Sequence, residues 1–307
     1  MSKKSMIFAY ILGDGWIDKN GNCGVGGDAE SLLTIAGDID ELYGQGTARK
    51  INTRHTSSPK YGIEGVTSSF ITKTSFSKKM QSCGMPVGKR SGIDYKIPDW
   101  IMDGTDKTKK DFLSGYYAAE GFTPSMQANG KTPRTLTFPF SKDIELLESS
   151  RRLANQFKEL IESLGLTVTI MEQYVTTDKE KVKQIISIGN SEDDFFEALQ
   201  MLDLRYCVKK EERRQQLVTY FTMKRAERDR ILSIHQAIKQ ERITTGATYK
   251  ELAEKYSLSW RQVEKIMNGR SHAKQVRGFP KFNQKFIETY CLSKTPLNDE
   301  TPSVNER

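Results

Sequence analysis

The sequence predicts an α+β fold, made of two halves with the same element order followed by a small all-helical unit. Three observations predict it. A nine-residue helical signature occurs twice, as Ile7-Phe8-Ala9-Tyr10-Ile11-Leu12-Gly13-Asp14-Gly15 and as Leu113-Ser114-Gly115-Tyr116-Tyr117-Ala118-Ala119-Glu120-Gly121. Each copy opens the order helix, two strands, helix, two strands, helix. Near Thr222-Met223-Lys224 the strand patterns then give way to helical ones. Duplication on this scale implies pseudo-two-fold symmetry, with αββαββα in each half. The expected parts are residues 1–105, 106–222 and 223–292, with a polar, proline-containing disordered tail over 293–307.

Each signature has a small residue at its third and seventh positions, Ala9 and Gly13 in the first and Gly115 and Ala119 in the second. Small residues four apart share one helix face, so the two helices can approach almost backbone to backbone. That packing brings Asp14 and Glu120 to the same end of the pair. A carboxylate there faces the negative end of the helix dipole. Two together are worse placed, unless a divalent cation lies between them. The pattern reads as a two-fold metal site.

After Asp14, residues 16–36 alternate around glycine-rich turns and lead to an apolar strand, Leu32-Leu33-Thr34-Ile35-Ala36. Gly37-Asp38 then opens a short helical stretch over 39–43. Strands are expected at 50–57 and 68–74, where β-branched and aromatic residues alternate with polar ones. A helix follows from Ser75 to a stop at Gly84. In the second half, strands are expected around 121–128 and 134–140, and a long amphipathic helix over Lys142–Leu164. A strand pair at Thr167–Gln173 and Val182–Gly189 follows, then a helix over Ser191–Leu202 opened by a Ser-x-x-Asp cap.

The third part starts with a helical stretch at 225–241 and continues into Ala247–Gly269, which resembles a helix-turn-helix of the kind seen in resolvases and sigma-type regulators. Leu252, Ala253, Leu258, Val263 and Ile266 take the core positions. Ser259 stands at the N-cap, which leaves Trp260, Arg261, Gln262 and Lys265 on the outward face of the second helix. The turn has Ser257 where glycine is favoured. Arg270, Lys274, Arg277, Lys281 and Lys285 follow with no acidic residue among them, a pattern that fits phosphate.

Composition is consistent with a polyanionic partner. The 307-residue chain carries a net charge of +8. Cys23, Cys83, Cys207 and Cys291 are scattered, with no Cys-x-x-Cys and only three histidines, so the expectation is reduced thiols inside a cell rather than a zinc site or a secreted scaffold. No stretch reads as a signal peptide or membrane span.

On the paired signatures, roughly residues 1–220 resemble a single-chain LAGLIDADG homing endonuclease, with Asp14 and Glu120 at each motif's second acidic position and Leu12 and Ala118 in place of the first. The resemblance implies a monomeric, site-specific double-strand DNA endonuclease that uses Mg²⁺, with Mn²⁺ able to substitute, at a long and weakly palindromic target. Asp14 and Glu120 would be the metal ligands, helped by the carbonyls of Gly13 and Ala119. The family also places a basic residue near each cut. The matching stretches are Gly88-Lys89-Arg90-Ser91 ahead of Tyr95-Lys96, and Arg205–Lys210. Lys89 is the expected residue in the first, with Lys96 in reserve, and Lys209 or Lys210 in the second. Base contacts are expected from strand residues Arg54, His55, Lys73 and Thr74, and from Gln127, Arg134, Gln173 and Lys183, with strand register deciding among them. An RNA-splicing maturase on the same scaffold and a catalytically silent DNA-binding regulator are the alternatives. Intact Asp14 and Glu120 speak against both. The opening Met1 and the ending Val304-Asn305-Glu306-Arg307 read as a free-standing or intron-encoded chain rather than an intein.

Overall fold

A computed structural model describes residues 2–58, 63–174, 180–189, 191–270, 276 and 278–292. The chain divides into two compact units, Met1–Gln215 and Gln216–Arg307.

In the first unit, α1 (Ser2–Asp14) leads into β1 (Gly15–Ile17) and β2 (Cys23–Gly27). Helix α2 (Ala29–Tyr43) follows, then β3 (Asn52–Ser58), β4 (Ile63–Ile71) and α3 (Thr74–Ser82). A short helix, α4 (Asp99–Met102), precedes the second copy of the order: α5 (Asp106–Glu120), β5 (Leu136–Asp143), α6 (Leu147–Glu162), β6 (Val168–Tyr174), β7 (Lys181–Ile188) and α7 (Glu192–Met201). The strands form two antiparallel sheets, ordered β1-β2-β4-β3 and β5-β7-β6. The halves thus share one topology, with β5, β6 and β7 answering to β2, β3 and β4. The fourth strand has no full counterpart. Where a strand was expected at 121–128, the chain makes one isolated bridge, Met126 to Pro133. Pro124 and Pro133 lack the N–H donors that a longer ladder needs.

Along β7 the side chains alternate. Val182, Gln184, Ile186 and Ile188 are buried, and lie on the face that packs against α6 through Leu153, Phe157 and Ile161. Lys181, Lys183, Ile185 and Ser187 lie on the opposite face. There Lys183 pairs across the sheet with Ser141 on one side and Gln173 on the other.

One expected strand is a helix. Leu32–Ala36 lies inside α2, which Asp28 caps by accepting from the Ser31 amide at 3.0 Å. Leu32, Ile35 and Ile39 are buried at helical spacing, while Leu33 is exposed. A five-residue apolar run fits either period, and the longer spacing decides between them. Gly37 is interior to the helix and does not break it. Its cost of about 1 kcal/mol relative to alanine is small beside roughly 1.5–3 kcal/mol for each buried aliphatic side chain. The long helix expected from Lys142 begins at Leu147 instead, because β5 extends through Asp143.

The expected boundary near residue 222 falls within a continuous helix, α8 (Val208–Thr245). In the second unit α9 (Tyr249–Lys255) and α10 (Trp260–Met267) pack together, burying Leu252, Ala253, Val263 and Ile266 with Ile238 of α8; Leu258 lies partly buried against them. Ser257, in the turn, has φ of 50°, the left-handed conformation that glycine usually supplies. Ser259 caps α10 through a reciprocal pair with Gln262. Tyr220 gathers Phe279, Phe282 and Phe286 into an aromatic cluster.

The four cysteines are unpaired. Among the described residues, no helix is long and apolar enough to cross a membrane.

Candidate active site

The site begins with how closely α1 and α5 approach. A Cβ added at Gly13 would lie 2.3 Å from the Ala119 Cβ, and one at Gly115 would lie 2.1 Å from the Met6 carbonyl oxygen. Both distances are far below contact, so the two glycines are required there. Both contacts advance in the same chain direction, so the helices run side by side and end together. At that end the Glu120 side chain lies over Gly13, with its Cγ 3.2 Å from the Gly13 Cβ position. Leu12 and Ala118, at the positions of the missing first acidic residues, are buried.

Asp14 and Glu120 are exposed residues, yet both carboxyls are held above the usual range. Desolvation is the main cause for each, and the Asp14 charge adds to it at Glu120. Lys210 and Arg90 oppose the shift at both residues, and Lys183 does so at Glu120. Arg90, Lys183 and Glu120 line a cavity of about 420 Å³ together with Tyr95 and Tyr116.

The two basic groups are placed by helix ends. Lys210 donates from Nζ to the carbonyls of Tyr117, Ala118 and Ala119 at 3.2, 2.7 and 3.2 Å. Arg90 donates from Nη1 to the Ile11 carbonyl at 3.0 Å and from Nη2 to that of Gly15. Each signature helix therefore ends under a cation, which its dipole favours. Burial lowers the Lys210 pKa, while Asp14 and Glu120 act to raise it.

Of the four expected basic residues, Lys210 is the one that reaches the end of a signature helix. Lys89 is exposed at the start of the 3-10 turn Arg90–Gly92, and Lys96 forms a surface ion pair with Asp99 at 2.7 Å. Lys209 is exposed and acts on Asp28. None of the three acts on Asp14 or Glu120. Arg90 and Lys210 do, and Arg90 stands one position after Lys89. A turn has no periodicity to say which of two adjacent cations points inward.

Of the expected DNA contacts, Lys183 and Gln173 share the outer sheet face, and Lys183 also belongs to the carboxylate cavity. Arg54 is exposed on β3, and Arg134 is exposed in the loop before β5. Gln127 lies beyond the strands, closing a turn by donating from its amide to the Thr132 carbonyl. Lys73 is off the strand, at the N-cap of α3, donating to the Gln45 carbonyl at 3.3 Å; Thr74 begins that helix. Trp260, Arg261, Lys265 and Arg270 are exposed on or just after α10, while the Gln262 side chain is engaged by Ser259. Lys274, Arg277, the His55 side chain and the 293–307 tail lie outside the described residues.

Among the described residues no cluster of three or more His, Cys, Asp or Glu side chains forms. Two adjacent carboxylates with raised pKa still fit a hard divalent cation that takes its remaining ligands from backbone, water and phosphate. The Ala119 carbonyl would be shared with Lys210.

Residues 107–181 match the model of the LAGLIDADG-like domain. The chain thus carries a LAGLIDADG-like domain over this stretch, which contains the second of its two signatures. It is 29% identical over 62% of its length to the DNA-directed RNA polymerase subunit Rpo1N of Methanocaldococcus jannaschii, covering 15% of that protein. It is 26% identical over 91% of its length to the tRNA-splicing ligase RtcB of Pyrococcus furiosus, covering 29% of that protein. The chain therefore spans less than a third of either relative. A crystal structure of I-DmoI in complex with DNA and Mn aligns with 66% of this chain and 96% of its own, at 15% identity and a TM-score of 0.37.

Proposed function

We propose that the protein is a homing-type endonuclease that hydrolyses both strands of a specific duplex DNA site with a divalent metal. One observation carries this reading. Two carboxylates stand at the touching ends of two helices in backbone contact, each helix end under its own cation. A divalent cation, Mg²⁺ or Mn²⁺, held by Asp14 and Glu120 would supply an activated water and neutralise charge on the scissile phosphate. Arg90 and Lys210 are held where they add positive charge beside a bound phosphate, one in each half. The outer face of the β5-β7-β6 sheet, bearing Lys183 and Gln173, provides polar groups for base edges in the major groove.

The curated relatives support the homing aspect. Their names describe different activities, and the match covers a minor part of each, as expected for a module that moves between genes. Selection of a bound site from random duplex DNA, followed by incubation with Mg²⁺, tests the reading. Double-strand cuts at the selected site are expected, and a duplex that is bound but never cut overturns it.

The second unit would act as a second DNA contact through α10. Replacing Arg261, Lys265 or Arg270 with alanine should flatten the salt dependence of binding by roughly one counterion each. The cleavage rate at saturating DNA should not change. Unaltered salt slopes in equilibrium binding would remove α10 from the DNA interface.

A further inference from the structure

Residues 90–97 connect the first half to the second, yet they are fastened to the second. Lys142 of β5 is fully buried. Its Nζ donates to the Arg90 carbonyl at 2.8 Å and to the Ile93 carbonyl, and lies 3.6 Å from the centre of the Tyr95 ring. Asp94 accepts from Ser149 Oγ at 2.6 Å and from Arg152 Nη2 at 2.5 Å, and the Ile97 amide donates to Gln156 Oε1 at 3.0 Å. Ser149, Arg152 and Gln156 all belong to α6.

Lys142 interrupts an apolar alternation. Leu136, Phe138 and Phe140 are the other buried members of that face of β5. A lysine there is costly unless its charge is compensated, and two carbonyls with an aromatic face supply the compensation. Burial depresses its pKa to about 8, Asp94 and Asp143 hold it up, and Arg90 acts against them. The neighbouring Tyr95 hydroxyl is pushed up to about 12 by its own burial. The lysine fixes the backbone at both ends of the turn whose first side chain, Arg90, reaches Ile11 and Gly15 at the end of α1.

We propose that Lys142 is a positioning residue for the cleavage reaction. It holds the Arg90 guanidinium beside Asp14, so that the second half completes the centre of the first. The other half shows the reciprocal arrangement. The Val208 amide donates to Ser31 Oγ at 3.1 Å and the Tyr206 hydroxyl to Asp38 Oδ2 at 2.8 Å, both on α2, just ahead of Lys210. Ser31 and Asp38 have the same spacing on α2 as Ser149 and Gln156 on α6. Each half thus docks the basic segment of the other.

This inference rests on the endonuclease reading, and a double-mutant cycle tests it. Single-turnover nicking of each strand at saturating DNA is measured for the wild type, Arg90→Ala, Lys142→Met and the pair. Lys142→Met should slow the same strand that Arg90→Ala slows, by about tenfold or more. Adding it to Arg90→Ala should cost no more than about a further twofold. Equal slowing of both strands, or losses that multiply, would overturn the proposal. If the methionine variant melts below the assay temperature, Lys142→Gln takes its place with the same criteria. Amide exchange over residues 90–97 of the free protein gives a readout independent of cleavage. It should quicken in the Lys142 variant and not in Arg90→Ala; unchanged exchange also overturns the clamp. A wild type that cuts nothing would sink the endonuclease reading alone and leave the clamp to be judged by exchange.

Discussion

Asp14→Asn and Glu120→Gln should each abolish double-strand cleavage, by about three orders of magnitude or more, while leaving DNA affinity intact or slightly improved. Each amide keeps the shape of the carboxylate but loses the charge that holds a hard cation. Stability should move the other way. Both carboxyls have raised pKa values in the folded protein. The protonated form is therefore the one folding favours: their contribution is fully present below the usual carboxylate range and is lost as pH rises through the folded values. At neutral pH and without metal, both groups oppose folding, and the amide removes that opposition. The variants should melt at or above the wild-type temperature near pH 7, with the difference vanishing only as pH falls below the usual carboxylate range. A variant that loses activity only by unfolding would contradict this assignment.

Gly115→Ala should be damaging despite adding a single methyl group. Its Cβ would lie 2.1 Å from the Met6 carbonyl oxygen, so one helix must move away from the other. Overpacking of this kind costs about 1–3 kcal/mol. For a unit of this size, each kilocalorie lowers the melting temperature by roughly 2–4 °C. The rate should fall further than the stability loss explains, because the same displacement parts Asp14 from Glu120. Gly37→Ala is the natural contrast. Its Cβ meets nothing within 4 Å, and alanine should stabilise α2 by up to about 1 kcal/mol. Equal melting temperatures and rates for Gly115→Ala and wild type would show that close helix contact does not set the site.

Much of this arrangement was legible in the sequence because it is local or repeated. Small residues four apart gave the face on which α1 and α5 meet, and Ser191 and Ser259 marked helix starts through their capping partners. Failures arose where local pattern was silent. Leu32–Ala36 fits either period, and only burial on one side of α2 makes it a helix. Arg90 and Lys89 are equivalent as letters; the difference is that Arg90 reaches the Ile11 carbonyl of α1, nearly eighty residues earlier in the chain. Lys142 gave no signal. A lysine after Phe140 and Ser141 reads as the polar end of a strand, and its burial depends on a turn contributed from outside its half.

As proposed above, Asp14 and Glu120 form a metal-dependent cutting centre for duplex DNA. The most direct measurement is cleavage of the selected duplex, resolved strand by strand, with Mg²⁺ and with EDTA. It should be made for the wild type and for the variant combining Asp14→Asn with Glu120→Gln. The wild type should cut both strands with Mg²⁺ alone, and the double variant should bind without cutting. Cutting in EDTA, or any cutting by the double variant, would contradict it.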